Sequence, residues 1–445
     1  MTPIGIIFLL VNAIALLAVP RRWAPLPLLV GVCYMTAGQQ FAIGSLTFTI
    51  ARALVVVGIF RALIRSEGPV GGFSKLDGIL VVWGLWGMFA SVFHESFSET
   101  VVGNGRLVLN TLGTYFLIRC FIRTPEDLLH NLKLTGILLA PLALEMVQEQ
   151  LTGRNLFSVF GGVPEFSTIR GDRLRANGPF AHGILAGTVG AVSLPLMLPL
   201  LREHRRIALI GISACVVMVL ASVSSGPIMS LLFSLFALVL WRFRGLMKLM
   251  KWGAVAMYIA LDLVMKAPAY YIIARIDLTG SSTGWHRAEL IKQAIAHLPE
   301  WWKGGTDYTR HWMPTGVTWS PDHCDITNHY IGYGMIGGFL FMALFIIAIF
   351  VAFNYVGAVV RDWEELSPEI AQLAWCLGAS LFAHTASMVS VYYFDQSIAF
   401  VYICLGFIGS LRLGMNSEEI GALADSEEAS PSHAMTSPLA HEHGI

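Results

Sequence analysis

The chain has 445 residues, 55% of them hydrophobic and only 13% charged, with a mean hydropathy of +0.65. That is too little polar surface to coat a soluble globule of this size, so lipid must act as solvent over much of it. The formal net charge is zero, which excludes an overall basic balance suited to nucleic acid and leaves only local charge placement to inform function.

A membrane-crossing helix needs about 20 mainly apolar residues. By that rule candidate spans fall near 4–20, 25–40, 41–61, 77–93, 103–122, 132–148, 179–201, 207–222, 226–241, 252–267, 330–354, 370–391 and 396–411. The expected fold class is therefore an all-α integral membrane protein with about 12–13 transmembrane helices. The first apolar segment begins almost at Met1, without a basic leader or a small-residue cleavage site, and reads as a retained span. The six cysteines show no CxxC spacing, and all but Cys324 fall in or beside apolar segments, as small buried hydrophobes do. No Asp-x-Asp or histidine-carboxylate cluster with metal spacing stands out, and no disulfide framework or zinc site is indicated.

Lysine and arginine gather in alternate connections: Arg21 and Arg22; Arg61, Arg65 and Lys75; Arg119, Arg123 and Lys133; Arg202, Arg205 and Arg206; Arg242, Arg244, Lys248 and Lys251; then Arg361 and Arg412. The positive-inside rule makes these connections cytoplasmic. The chain then divides into N-terminal spans (1–148), a basic outward loop (149–178), central spans (179–267), a large outward loop (268–329), C-terminal spans (330–412) and a tail (413–445). From Asn416 onward the tail is polar and without apolar periodicity, which predicts a disordered cytoplasmic end.

The first long loop breaks the charge rule, with Arg154, Arg170, Arg173 and Arg175 against Glu149, Glu165 and Asp172. Guanidiniums held outside form a fork-shaped receptor for phosphate or carboxylate oxygens; alternatively they bind lipid headgroups or pair with acids of the other loop. Gly178 and Pro179 predict a turn into the first helical position, which would add backbone N–H groups to an anion site. Phe180 and His182 then fall in the first turn, where His182 is either a ligand contact or an interfacial histidine. In the second loop, Trp285, Ala288, Ile291, Ile295 and Leu298 are spaced for one face of a helix that Pro299 should end. Ser282 or Thr283 is the predicted cap, and Arg287 falls in the first turn, where a cation opposes the helix dipole unless an anion binds. Trp301, Trp302, Trp312 and Trp319 follow, suited to stacking on sugars or to anchoring at the membrane surface. The loop closes on Asp325, Asn328 and His329, a histidine with acids close by and thus a candidate general base.

These stretches resemble the bacterial O-antigen ligases and the related O-antigen and exopolysaccharide polymerases, which are multispanning glycosyltransferases. Arg175-Ala176-Asn177-Gly178-Pro179-Phe180-Ala181-His182 is similar to the family's Arg, Gly, Phe stretch entering a span. Ser222 to Gly226 sits where members show a Ser-Arg-Gly turn, with Ser225 in place of the arginine. The stretch Thr283 to Arg287, the helix after it and Pro299 to Gly305 resemble the second conserved loop region, and Asn328-His329-Tyr330 the third. Members commonly place a histidine directly before that asparagine, where this chain has Thr327; His329 is the first choice as base and His323 the outside one.

The resemblance implies a GT-C-like architecture in the bacterial inner membrane and metal-independent transfer of a glycan from undecaprenyl diphosphate to a sugar hydroxyl on the periplasmic face. The acceptor would be lipid A core or a second carrier-linked polysaccharide, other polysaccharide export proteins would be partners, and the anomeric centre would invert. On this reading His329 is catalytic, Arg173, Arg175 and Arg287 bind the diphosphate, and Trp285, His286, Asp325 and Asn328 contact sugar or acceptor. The rival readings are a transporter or flippase of lipid-linked sugars, and a non-catalytic component of an export assembly. Against the first, mid-span ionisable residues are few, with Arg52, Asp262, His384 and Asp395 the nearest exceptions.

Overall fold

A computed structural model describes residues 1–44, 46–275 and 284–428. It is mostly helical, at 73%, as an all-α membrane protein should be. Five helical segments are long and apolar enough to cross a membrane: Lys75–Phe93, Pro125–Thr152, Gly183–Leu201, Ser225–Val264 and His329–Trp363. Two shorter apolar helices, Pro3–Ala18 and Ile398–Gly414, flank them.

In chain order the N-terminal half comprises α1 (Pro3–Ala18), α2 (Pro25–Tyr34), a hairpin of β1 (Gln40–Ile43) and β2 (Leu46–Thr49), α3 (Ile50–Ile64), α4 (Lys75–Ala90), α5 (Phe97–Phe121) and α6 (Pro125–Thr152). A second hairpin, β3 (Thr168–Arg170) with β4 (Arg173–Arg175), leads to α7 (Gly183–Met197), α8 (Arg205–Ala221), α9 (Ser225–Val239) and α10 (Met247–Val264). Then come α11 (Ile272–Arg275), α12 (Gly284–Ala296), α13 (Leu298–Trp301), the strands β5 (Gly316–Val317) and β6 (Ser320–Cys324), α14 (His329–Trp363), α15 (Pro368–Met388) and α16 (Ile398–Glu428).

Several expectations are corrected. The span expected at 41–61 starts instead with a hairpin, because Thr47 and Thr49 suit an extended strand and Thr49 then caps α3 through Arg52 N–H. Residues 226–241 and 252–264 belong to one helical run, Ser225–Val264, interrupted by a tight stretch at Leu240–Leu246, and residues 265–267 lie beyond its end. The tail does not lose structure at Asn416, since α16 continues to Glu428. Ser281, Ser282 and Thr283, among them the expected cap of α12, lie outside the described residues.

The main core joins α2, α4 to α8 and α14 to α16, with Trp83 stacked on Phe341 at 4.4 Å. By contrast α10 buries no residue, and Trp252, Tyr258, Leu263 and Val264 face outward, a surface suited to lipid. On the side read as cytoplasmic, two arginines are interior. Arg61 donates from Nε and Nη2 to both carboxylate oxygens of Glu67 at 2.9 Å, and Arg119 pairs with Asp77 at 3.2 Å.

α14 is broken near its start. Gly337 and Gly338 leave helical geometry, with Gly338 at φ 75°, so the loop at 302–306 can dock into the gap. Phe339 N–H donates to Trp302 O at 2.9 Å, Thr306 N–H to Met335 O at 3.0 Å, and Trp86 Nε1 to Gly337 O at 2.7 Å.

Candidate functional site

The basic loop is fastened to the end of α6 by a carboxylate that sequence reasoning counted as a partner for the arginines. Glu149 instead accepts N–H from Asn177 at 3.0 Å and from Gly178 at 2.9 Å, and the Ser167 hydroxyl at 2.9 Å. Gly178 needs its φ of 54°, and Asn155 Nδ2 donates to its carbonyl at 2.7 Å. The helix entrance is later than expected. Pro179 and Phe180 lie in a turn, and α7 starts at Gly183 with His182 as its N-cap. The reason is local: Asn177 Nδ2 bonds Phe180 O at 2.9 Å and the His182 ring accepts Ile184 N–H, each competing with helix formation before Gly183.

The hairpin register pairs Arg170 with Arg173 and Thr168 with Arg175, so the three arginines start from one face. They do not end together. Arg173 is exposed, whereas Arg175 turns inward, its Nε donating to Ser222 O at 3.2 Å and its Nη2 to the Ser224 hydroxyl. Those serines belong to the α8–α9 turn, where Val223 holds φ 45°, a strained value for a β-branched residue. Burial, reinforced by the Arg170 charge, brings the Arg175 pKa down to about 10.

Arg287 completes the group from the other loop. It lies in the first turn of α12, with Nε buried and without a hydrogen-bond partner among the described residues. Burial first, and then the Arg170 charge, lower its pKa, while Asp325 acts in the opposite direction. The Arg170 charge acts on both Arg175 and Arg287, so the two long loops meet around Arg170. Arg170 was noted in the sequence but not chosen over Arg173; the cross-strand register cannot be read without the hairpin.

His182 sits in the middle of this field. Stripping of water by its surroundings, followed by the Arg175 and Arg170 charges, holds its pKa down to about 4. Its Nε2 lies 3.1 Å from Arg175 Nη1, and its Nδ1 lies 3.2 Å from Ile184 N. Both neighbours are donors, and a neutral imidazole has one lone pair. One donor at this exposed spot is left over, and either water or an anionic oxygen can take it.

The other expected site residues are distributed as follows. His286 donates from Nε2 to the Asp325 carbonyl at 3.0 Å, linking α12 to the strand end, and the Asp325 side chain is exposed. Asn328 caps α14, its Oδ1 accepting Ile331 N–H at 3.0 Å and its Nδ2 donating to Val389 O at 2.9 Å. Trp285 is 56% exposed, as is much of the predicted apolar face, including Ile295 and Leu298. Of that face Ala288 is buried as expected, and the rest of the buried stripe is Gly284, Leu290 and Ala294, because Trp301, Trp312 and Met313 pack on the small side of the helix.

His329 is 1% exposed and walled by Tyr333, Phe345, Tyr392 and Tyr393. Its Nδ1 accepts Tyr393 N–H at 3.3 Å, and its Nε2 has no partner among the described residues. The ring thus holds the segment 392–397, which carries Asp395. One Asp395 oxygen accepts Ala181 N–H at 2.8 Å, one residue before His182, and the other accepts Ser397 N–H at 2.8 Å. Burial pushes the Asp395 carboxyl up, partly offset by these hydrogen bonds. Asp395 also lines a cavity of about 290 Å³ with Arg52, Asn110, Thr114, Tyr392 and Tyr393. Sequence reasoning met Asp395 only as a stray mid-span charge; its contact with Ala181, 214 residues away, is a product of the fold.

One further feature escaped the sequence. His94 Nδ1 meets Asp307 at 2.6 Å and its Nε2 lies 3.0 Å from Gly304 O and Ile336 O, fastening the docked loop. Burial pushes the Asp307 carboxyl up, but the bonds from His94 and Glu95 N–H bring it below its ordinary value. His323, the outside choice as base, packs on Trp319 with its Nδ1 unpartnered among the described residues. Neither a family model nor a curated protein matches the chain.

Proposed function

We propose that the chain is a membrane glycosyltransferase that transfers or polymerises an undecaprenyl-diphosphate-linked glycan on the periplasmic face of a bacterial inner membrane. On this reading the remaining helices complete about a dozen crossings, and the lipid tail lies along them. The observation that carries the proposal is the convergence of Arg170, Arg175 and Arg287 from two separate loops, with Arg287 Nε buried and unpartnered among the described residues.

A diphosphate leaving group gathers charge as its bond to the anomeric carbon breaks, and guanidiniums in a partly dry pocket stabilise that charge. We assign this role to Arg170, Arg175 and Arg287, and leave Arg173 out because it stays exposed on the hairpin. The acceptor hydroxyl oxygen attacks the anomeric carbon, the carbon–oxygen bond to the diphosphate breaks, and the hydroxyl proton goes to a base. Asp395 suits that role better than His329. It lines a cavity, its pKa is raised by burial, and it reaches the arginine group through Ala181. His329 becomes a positioning residue, acting through Tyr393 on the segment that carries Asp395.

The test is the length distribution of surface polysaccharide on a gel, from cells expressing wild type, Arg287→Ala, Arg175→Ala, Asp395→Asn and His329→Ala at matched membrane levels. Loss of long chains or of surface attachment, with carrier-linked precursor accumulating, is expected. An unchanged pattern with the arginine variants would sink the proposal and favour a transporter, whose first candidate groups would be Arg52 and Asp395 on their shared cavity. Linkage analysis by NMR should show an inverted anomeric centre.

A further inference from the structure

Away from the arginine patch, the end of α12, α13 and the turn at Arg310–Trp312 bring together two imidazoles and a carboxylate. One ring nitrogen of His297, a Glu300 oxygen and a His311 ring nitrogen all lie within 4.8 Å of one another. His311 Nε2 is 3.0 Å from Glu300 Oε2, and His297 Nε2 is 4.0 Å from Glu300 Oε1. Around a tetrahedral zinc ion, ligand atoms about 2.0–2.2 Å from the metal stand about 3.3–3.5 Å apart. The observed spacings straddle that value, so small side-chain rotations would seat an ion.

Neighbours hold His297 and Glu300 in the required state, while His311 Nε2, which donates to Glu300, would release its proton to an incoming ion. His297 Nδ1 is 2.9 Å from Gln293 O, and since a carbonyl only accepts, the proton sits on Nδ1 and the Nε2 lone pair faces the group. This is the outer-shell bond that metal-binding histidines characteristically make. Trp312 Nε1 donates to Glu300 Oε2 at 3.1 Å, fixing the carboxylate. The His297 ring stacks on Trp312 at 5.7 Å and His311 on Tyr308 at 5.1 Å, which limits rotation of both imidazoles. Glu300 and His311 are exposed, so a fourth position is open to water.

We propose that His297, Glu300 and His311 form a zinc site that fastens the end of α12 to the turn at 310–312, independently of the sugar-transfer chemistry. Two imidazoles and one carboxylate with an open position suit zinc, with copper and nickel the next ions by ligand type. The site is absent from any sequence motif because its third ligand comes from beyond a loop of ten residues.

The experiment uses the full chain in detergent, purified with a tag free of histidine and stripped with chelator, then titrated with zinc against a chromophoric competitor. Wild type should take one ion at high affinity and gain thermal stability from it. His297→Ala should lower that affinity by more than about 100-fold, beyond what outer-shell partners are worth. Glu300→Gln, which keeps an acceptor for Trp312, should do the same while melting like the wild type without metal. The polar tail also contains His441 and His443. Equal zinc uptake by wild type and His297→Ala, no uptake by wild type, or loss of the site in His441→Ala/His443→Ala instead would each overturn the proposal.

Discussion

Arg287 is a residue whose cost to the fold is visible. It is a cation in the first turn of a helix, largely shielded from water and facing the field of Arg170. A cation there opposes the helix dipole by about 0.3–1 kcal/mol. Arg287→Met should therefore leave melting unchanged or raise it slightly while weakening pyrophosphate binding, the pattern of a side chain kept for a ligand. Loss of its charge-assisted bonds, worth about 1.5–3 kcal/mol, corresponds to about 10- to 100-fold in affinity, whereas Arg173→Ala should change affinity less than about twofold. Calorimetry on the detergent-purified protein reads both. His182 offers a second check. With its pKa near 4, it is neutral where an unfolded histidine, at about 6.5, would be charged. Between those values the unfolded chain binds more protons, so stability should fall as pH drops from about 6.5 to 4. A bound pyrophosphate reverses the local field, and the His182 resonance should then titrate at higher pH; no shift on adding pyrophosphate would argue against an anion at this position.

At the scale of elements, the break in α14 decides where the large loop sits. A Cβ at Gly338 would stand 2.7 Å from the Lys303 and Trp302 carbonyl oxygens, on a backbone with φ 75°. Gly338→Ala combines that clash with left-handed strain of about 1–2 kcal/mol, and should expose the 302–306 loop to proteolysis while lowering the melting temperature. Unchanged proteolysis would show that the loop is held by His94 and Asp307 alone. Nothing in the local sequence says that Gly337 and Gly338 make room for this loop, because the loop's carbonyls reach them only through the fold.

Across the whole molecule, the Arg170 charge acts on Arg287, which brings parts of the two long loops together. Cysteines introduced at exposed Arg173 and Trp319, in a background without reactive thiols, should label together from the same side of an intact membrane, and a cysteine at exposed Arg242 from the other. Labelling of Arg173→Cys and Trp319→Cys from opposite sides would dismantle the site.

Composition alone determined that this chain is helical and apolar enough for a membrane, because lipid solvation is a property of residue content and run length. The positions of most helices followed for the same reason: α4, α6, α7 and α14 each announce themselves as long apolar stretches. The arginine-rich loop was equally plain, since its charge breaks the local rule. Which arginines meet was decided only by the tertiary structure, as the choice of Arg170 over Arg173 depends on a hairpin turning Arg175 inward. The same holds for Asp395 against Ala181, the buried nest of His329, and the grouping of His297, Glu300 and His311. Each joins groups from separate elements, and no local pattern of side chains encodes a distance between elements that packing alone sets.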